Sequence, residues 1–158
     1  MEQVLNKLHA DHRRNSVVAL QQLLYDCIGL SLLSRQAHWN IRGPQFLTLH
    51  GLFGDVYGML ESQSDDIAER IAQLGGIADG SAGSVDAESS TMSHDLGNYS
   101  MGPAVAANLA RILAAYSSSL VDEFELCTGR MDHGTADMLI GFAREVDKKV
   151  WMLESFSM

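Results

Sequence analysis

The sequence predicts an all-α fold, a four-helix bundle with one long crossover connection. Apolar residues recur at helical spacing in four segments of roughly 20–30 residues, and no stretch alternates with the period of a strand. Among 158 residues there are only 2 prolines, and 46% are hydrophobic, a balance that suits an ordered helical globule and not a disordered chain. Between the second and third segments lies a polar, Gly/Ser-rich stretch too long for a hairpin between neighbouring helices.

The first helix is expected from about Ser16 to Trp39, with Asn15 or Ser16 as N-cap. Val17, Val18, Leu20, Leu23, Leu24, Cys27, Ile28, Leu30, Leu32 and Leu33 go almost all round it, so it is buried on several faces. Ile41-Arg42-Gly43 breaks it, and Pro44 suits the first turn of a second helix that runs to about Leu74 and ends at Gly75-Gly76. Gly76 to Met101 forms the crossover, with room for a short helix near its end. Pro103 opens a third helix to about Cys127, carrying Val105, Leu109, Ile112, Leu113, Tyr116, Leu120 and Phe124 as its stripe. The fourth extends from about Thr135 to Glu154 through Met138, Leu139, Phe142, Val146, Val150 and Leu153. One domain over residues 1–158, of which 1–14 form a short N-terminal segment, accounts for all of this.

Several function classes drop out. No apolar h-region opens the chain and no run approaches 18 apolar residues, so neither a secretory signal nor a membrane span is expected. Cys27 and Cys127 fall in apolar helical patterns and read as reduced core thiols of a cytoplasmic protein. The formal net charge is -9, with local balances of only +1 over residues 1–15 and -1 over 145–158, so neither end is a polybasic tail for nucleic acid. His9 and His12 form either a surface metal pair or part of an exposed, frayed helix. The 8 methionines read as core filling.

The second helix holds the informative pattern. On a wheel at about 100° per residue with His50 at zero, Glu61 lies near 20°, Gly54 near 40°, Asp65 near 60° and Gly58 near 80°. Gly51 and Glu69 both fall near about 100°, while Leu49, Leu52, Phe53, Val56, Leu60, Ile67, Ile71 and Leu74 collect on the opposite arc. One face therefore packs on the bundle, and the other is a histidine, three glycines and three carboxylates. Each interior glycine costs about 0.8–1 kcal/mol relative to alanine. What three of them on one stripe provide is close approach of another backbone. The expected partner is a second copy of the same helix, antiparallel across a two-fold axis, where one patch serves both sides.

His50 and Asp65 are 15 positions apart, about 22 Å along a helix, so they cannot hold one metal within one chain. An antiparallel copy crossing near Tyr57 and Gly58 brings His50 of one subunit toward Asp65 and Glu69 of the other. Asp65 and Glu69 are i and i+4 on one face. His38, at the end of the first helix, is folded toward His50 by the intervening turn. Two imidazoles and two carboxylates suit Fe(II), with Zn(II) and Mn(II) as alternatives. No Glu in the chain has a His three residues later, which argues against a di-iron centre inside the bundle.

LSLLSRQAHWNIRGPQFLTLHGLF, then DDIAERIAQLGG and the closing EVDKKVWMLES, closely resemble the Dps family, the small ferritin-like DNA-binding proteins from starved cells. The likeness runs from about Asn15 to Ser155 and is carried by His-Trp at 38–39, His50, Asp65 and Glu69. It implies a ferritin-like bundle assembled as a hollow homododecamer in the cytoplasm, with nucleoid association where members bind DNA. Ferroxidase sites at two-fold interfaces through the second helix would take His38 and His50 from one subunit and Asp65 and Glu69 from its neighbour. The implied chemistry is oxidation of Fe(II) to Fe(III), preferably by hydrogen peroxide, with ferric mineral stored in the cavity, protection against oxidative stress, and no organic cofactor. Trp39 is implied as an electron donor beside a ligand; a packing indole is the alternative.

Three departures accompany the likeness. The family usually has an aspartate four residues after the second histidine, and Gly54 stands there, with Glu61 or Asp66 as candidate substitutes. Acidic pore residues near the start of the fourth helix are matched by Asp137, with His133 where an acid is common and Asp132 beside them. The basic tail of many DNA binders is missing, and twelve copies would carry a formal charge of about -108, which repels phosphates. A nucleoid-compacting protein, and a shell whose weakened site binds Zn(II) or little metal, are the competing readings.

Overall fold

The computed structural model describes residues 4–156 and contains, among them, five helices and no strand: α1 (Ala10–Asn40), α2 (Phe46–Gln73), α3 (Ala82–Glu88), α4 (Gly102–Gly129) and α5 (His133–Glu154). α1 pairs with α2 and α4 with α5, and their inward faces share one apolar core that includes Leu20, Leu30, Phe53, Leu60, Ile67, Leu109, Leu113 and Leu139. By length and composition α1 and α4 are apolar enough to cross a membrane, although neither contains an uninterrupted run of 18 apolar residues. In the bundle about half of each apolar window is buried in the shared core, while Val18, Leu32 and Leu126 remain exposed.

α1 begins six residues before the expected start. Residues 10–15 contain no helix breaker, and His9 caps them, its Nδ1 accepting from the Asp11 N–H at 3.3 Å. Ser16, expected as a cap, is fully buried, with its Oγ 3.9 Å from Cys127 Sγ. The short helix also sits elsewhere than expected, at the start of the crossover instead of its end. Ser81 caps it by accepting from the Ser84 N–H, and Val85 buries its apolar face. The later stretch is held as turns, with Asp95 Oδ1 accepting from Gly97 N and Asn98 Oδ1 from Ser100 N.

The crossover is tied along α1. Gln21 and Asp79 exchange two hydrogen bonds, at 2.7 and 2.9 Å. The buried Asp26 carboxylate accepts from the backbone and hydroxyl of Ser90. The loop lies so close to α1 that a Cβ on Gly29 would overlap the hydroxyls of Ser89 and Thr91. Both cysteines are buried and free, and burial pushes each thiol up to about 12, which keeps them protonated and inert.

At the α4–α5 turn Asp132 caps α5 through Thr135 and pairs with Arg70 of α2 at 2.7 Å, the two side chains being 2% and 17% exposed. Burial raises the Asp132 carboxyl, but hydrogen bonds from Thr135, Ser16 and Arg70 outweigh it and hold the group below its ordinary value. A lowered carboxylate contributes stability above its unfolded value, about pH 4, and that contribution is lost as pH falls through the lowered folded value. Asp132→Ala is therefore expected to cost about 3 kcal/mol at pH 7, because it leaves Arg70 unpaired. Denaturant melts at pH 7 and pH 3 check this, the gap between wild type and variant shrinking at the lower pH.

Candidate metal centre

The turn between α1 and α2 determines where the two histidines meet. Ile41 is buried, its N–H bonds back to Ala37, and Arg42 N–H donates to the Tyr99 carbonyl, so the chain reverses within a few residues. That reversal lays the last turn of α1 against the first turns of α2, and the imidazoles of His38 and His50 stack at 3.7 Å between centroids with 21° between planes. Phe46, one turn before His50, continues the column at 5.1 Å and 30°.

Each ring is held by the other's backbone. His38 Nδ1 lies 2.7 Å from the His50 carbonyl oxygen, and His50 Nδ1 lies 2.8 Å from the His38 carbonyl oxygen. A carbonyl only accepts, so each Nδ1 carries the donated proton and, in the neutral ring, each Nε2 keeps its lone pair. Carbonyl bonds of this kind are how metal-ligating histidines are oriented. The lone pair lies in the ring plane, and two nearly parallel planes at this spacing do not meet within a metal–nitrogen bond of about 2 Å. The arrangement thus presents two separate imidazole donors and not a chelate for one ion.

Asp65 and Glu69 lie exposed farther along the same outward stripe of α2. Among the described residues no group of three or more His, Cys, Asp and Glu side chains gathers closely enough to hold a metal. One chain supplies the imidazoles at one end of the stripe and the carboxylates at the other. Between them Gly51 and Gly58 face open space, where an added Cβ meets nothing within 4 Å. Trp39 is 68% exposed beside the column.

The acids around the glycine at 54 are engaged elsewhere. Asp55 pairs with Lys149 of α5 at 3.4 Å. Glu61 accepts from Ser31 and pairs at 3.3 Å with Arg35, whose guanidinium lies 4.3 Å over the Tyr57 ring. Asp66 is exposed. At the other end of α2 the Asp132 carboxylate is turned inward onto Arg70 and Thr135, while His133 and Asp137 are exposed. His9 and His12 approach at 5.8 Å and, with His133, line an open cleft of about 540 Å³ at that end. Sequence reasoning overlooked Phe46; its i, i+4 spacing from His50 is the signal that marks it.

The ferritin-like domain family matches residues 17–157. A DNA protection during starvation protein of Agrobacterium fabrum is 31% identical over 95% of this chain and 92% of its own length. Among solved structures, an archaeal Dps homologue from Halobacterium salinarum superposes with a TM-score of 0.89 at 28% identity, over 96% of this chain and 84% of that one. A Vibrio cholerae Dps protein, described as a member of a broad superfamily of ferritin-like diiron-carboxylate proteins, gives a TM-score of 0.89 at 25% identity, over 100% of this chain and 99% of that one.

Proposed function

This chain belongs to the Dps proteins of the ferritin-like family, and from that premise we propose that it is an iron-storing ferroxidase that takes ferrous iron as substrate and hydrogen peroxide as preferred oxidant. The observation that carries the reading is the reciprocally bonded pair His38 and His50, with both Nε2 lone pairs available at the edge of a glycine-lined stripe.

Two copies of α2 cross antiparallel near Gly58, so that His38 and His50 of one subunit face Asp65 and Glu69 of its neighbour. Each imidazole takes one ferrous ion, and the two carboxylates hold the pair from the opposite side and offset its charge. Two ferrous ions each give one electron to one peroxide; its O–O bond breaks, two protons are taken up and two waters leave. Pairing the two electrons in this way avoids release of a hydroxyl radical. The exposed Trp39 indole, next to a ligand, is placed to give up an electron when only one ion is bound. Six such two-fold contacts pair twelve copies, and further contacts between the pairs close a hollow shell in which ferric mineral collects.

Protection of DNA, for which the Agrobacterium relative is named, is the second reading. The net charge of -9 opposes it, since phosphate contact needs clustered cations. The test loads metal-free protein with Fe(II) without air, adds peroxide or oxygen, and follows ferric absorbance. Oxidation by peroxide is expected to be at least about 10-fold faster than by oxygen and than in buffer, a gap of about 1.4 kcal/mol in barrier. A rate equal to that in buffer overturns the reading.

A further inference from the structure

Under the crossover lies a cavity of about 80 Å³, bounded by α1, the crossover and α4 and lined by Asp26, Thr91, His94 and Tyr116. Tyr116 is 3% exposed, yet its hydroxyl has no hydrogen-bond partner. The neighbouring Cys27 thiol gives its own proton to the Leu60 carbonyl. Burial, Cys27 and the Asp26 charge push the Tyr116 hydroxyl well above its ordinary value, so it stays protonated. A buried phenol left without a partner is costly, and this one calls for a group inside the cavity.

Asp26 gives the sign of that group. The residue is 7% exposed, and no ion pair of the described residues includes it. Its Oδ1 accepts from Ser90 N, Ser90 Oγ and Ser89 Oγ at 2.7, 2.9 and 3.3 Å, whereas its Oδ2 has only Gln22 Nε2, at 3.4 Å. Buried charges are paired or bind metal, so the carboxylate calls for a cation. Thr91, whose Oγ1 donates to the Asp26 carbonyl at 3.2 Å, sets the following turn. There His94 N and His94 Nδ1 both lie 3.2 Å from the Thr91 carbonyl oxygen. A carbonyl only accepts, so Nδ1 carries the proton and, in the neutral ring, Nε2 keeps its lone pair, the state of a metal-ligating histidine. His94 is exposed, so an ion reaches the cavity past it.

We propose that Asp26 and His94 bind a divalent first-row transition ion in this cavity, with water in its other positions and the Tyr116 hydroxyl bonded to that water. The imidazole favours such an ion over Mg(II) or Ca(II), and the volume admits it with several waters. Its charge offsets Asp26, and its two ligands fasten the crossover to α1. Asp26 lies 12 positions before His38, about 18 Å along the helix, so the site is separate from the two-fold centre and stands without the ferroxidase reading.

The test uses assembled, metal-free His38→Ala/His50→Ala protein, which lacks the imidazoles of the two-fold centre, with and without His94→Ala or Asp26→Asn. Each is titrated with Co(II) under nitrogen and followed by visible absorption and Tm, and a Co(II)-soaked crystal of the double variant is read by cobalt anomalous scattering. Expected are one Co(II) per chain between Asp26 and His94 and a Tm raised by Co(II). His94→Ala is expected to weaken binding at least about 10-fold, since even a group that only orients a ligand is worth that much, and to abolish the rise in Tm. Asp26→Asn keeps an acceptor for Ser90 but loses the charge, and is expected to do the same. Because His94 is exposed, its variant separates loss of the ion from loss of the fold. Co(II) affinity unchanged by His94→Ala overturns the proposal, as does a cavity that holds water and no cobalt in the soaked crystal.

Discussion

Shells co-assembled from equal amounts of His50→Ala and Asp65→Ala subunits are expected to regain about a quarter of wild-type ferroxidase activity, although each variant alone is inactive. The figure follows from two-fold symmetry. Half of the randomly formed pairs contain one subunit of each kind. In such a pair, one of the two sites combines the intact histidines of the Asp65→Ala subunit with the intact carboxylates of the His50→Ala subunit. Each variant alone is expected to lose at least about 100-fold in rate, the scale of a misplaced or missing group at a reacting centre. The physical basis is distance: with about 22 Å of helix between His50 and Asp65, no single chain can bring them to one ion. Zero recovery in the mixed shells, with assembly confirmed, would mean that each chain builds its site alone. Peroxide-driven oxidation measured at a fixed number of subunits decides between the two.

Gly58→Leu is expected to leave the individual subunit folded and to break the shell. A side chain at 58 meets nothing within 4 Å in its own chain, and leucine favours a helix that glycine weakens. The same side chain on both partners would stand at the crossing point of two α2 helices, where it prevents backbone approach. The native assembly is expected to elute near about 206 kDa, twelve subunits of 17.2 kDa each. The variant is expected to run at a quarter of that mass or less, with unchanged helical circular dichroism and ferroxidase activity at the level of buffer. An intact shell with full activity would place the glycine stripe away from the two-fold contact.

Much of the candidate site is legible in the sequence, and the reason is periodicity. About five turns of α2 place His50, Gly54, Gly58, Asp65 and Glu69 on one stripe whatever the rest of the chain does, because every residue of a helix advances by about 100°. The apolar arc opposite is the face found buried, from Leu49 through Phe53, Val56 and Leu60 to Ile71. The boundaries were less legible. A helix can begin as soon as no breaker prevents it, so residues 10–15 join α1 behind a histidine cap that no simple Ser/Asn rule would choose. The short crossover helix follows the Ser81 cap, while Asx turns claim the later stretch.

By itself, then, the sequence determined an all-helical bundle, its inward faces, and a polar stripe whose histidine and carboxylates are too far apart to serve one ion alone. All of these depend on residues near one another in the chain. The tertiary structure alone decided that His38 and His50 stack with their Nδ1 protons on each other's carbonyls, that the His38 ring lies close over Gly54, and that Asp132 turns inward to Arg70. Those facts depend on how α1 and α5 approach α2, and helix approach is set by the packing of whole faces. A wheel gives the direction of a side chain, but the distance to its neighbour belongs to the packed bundle.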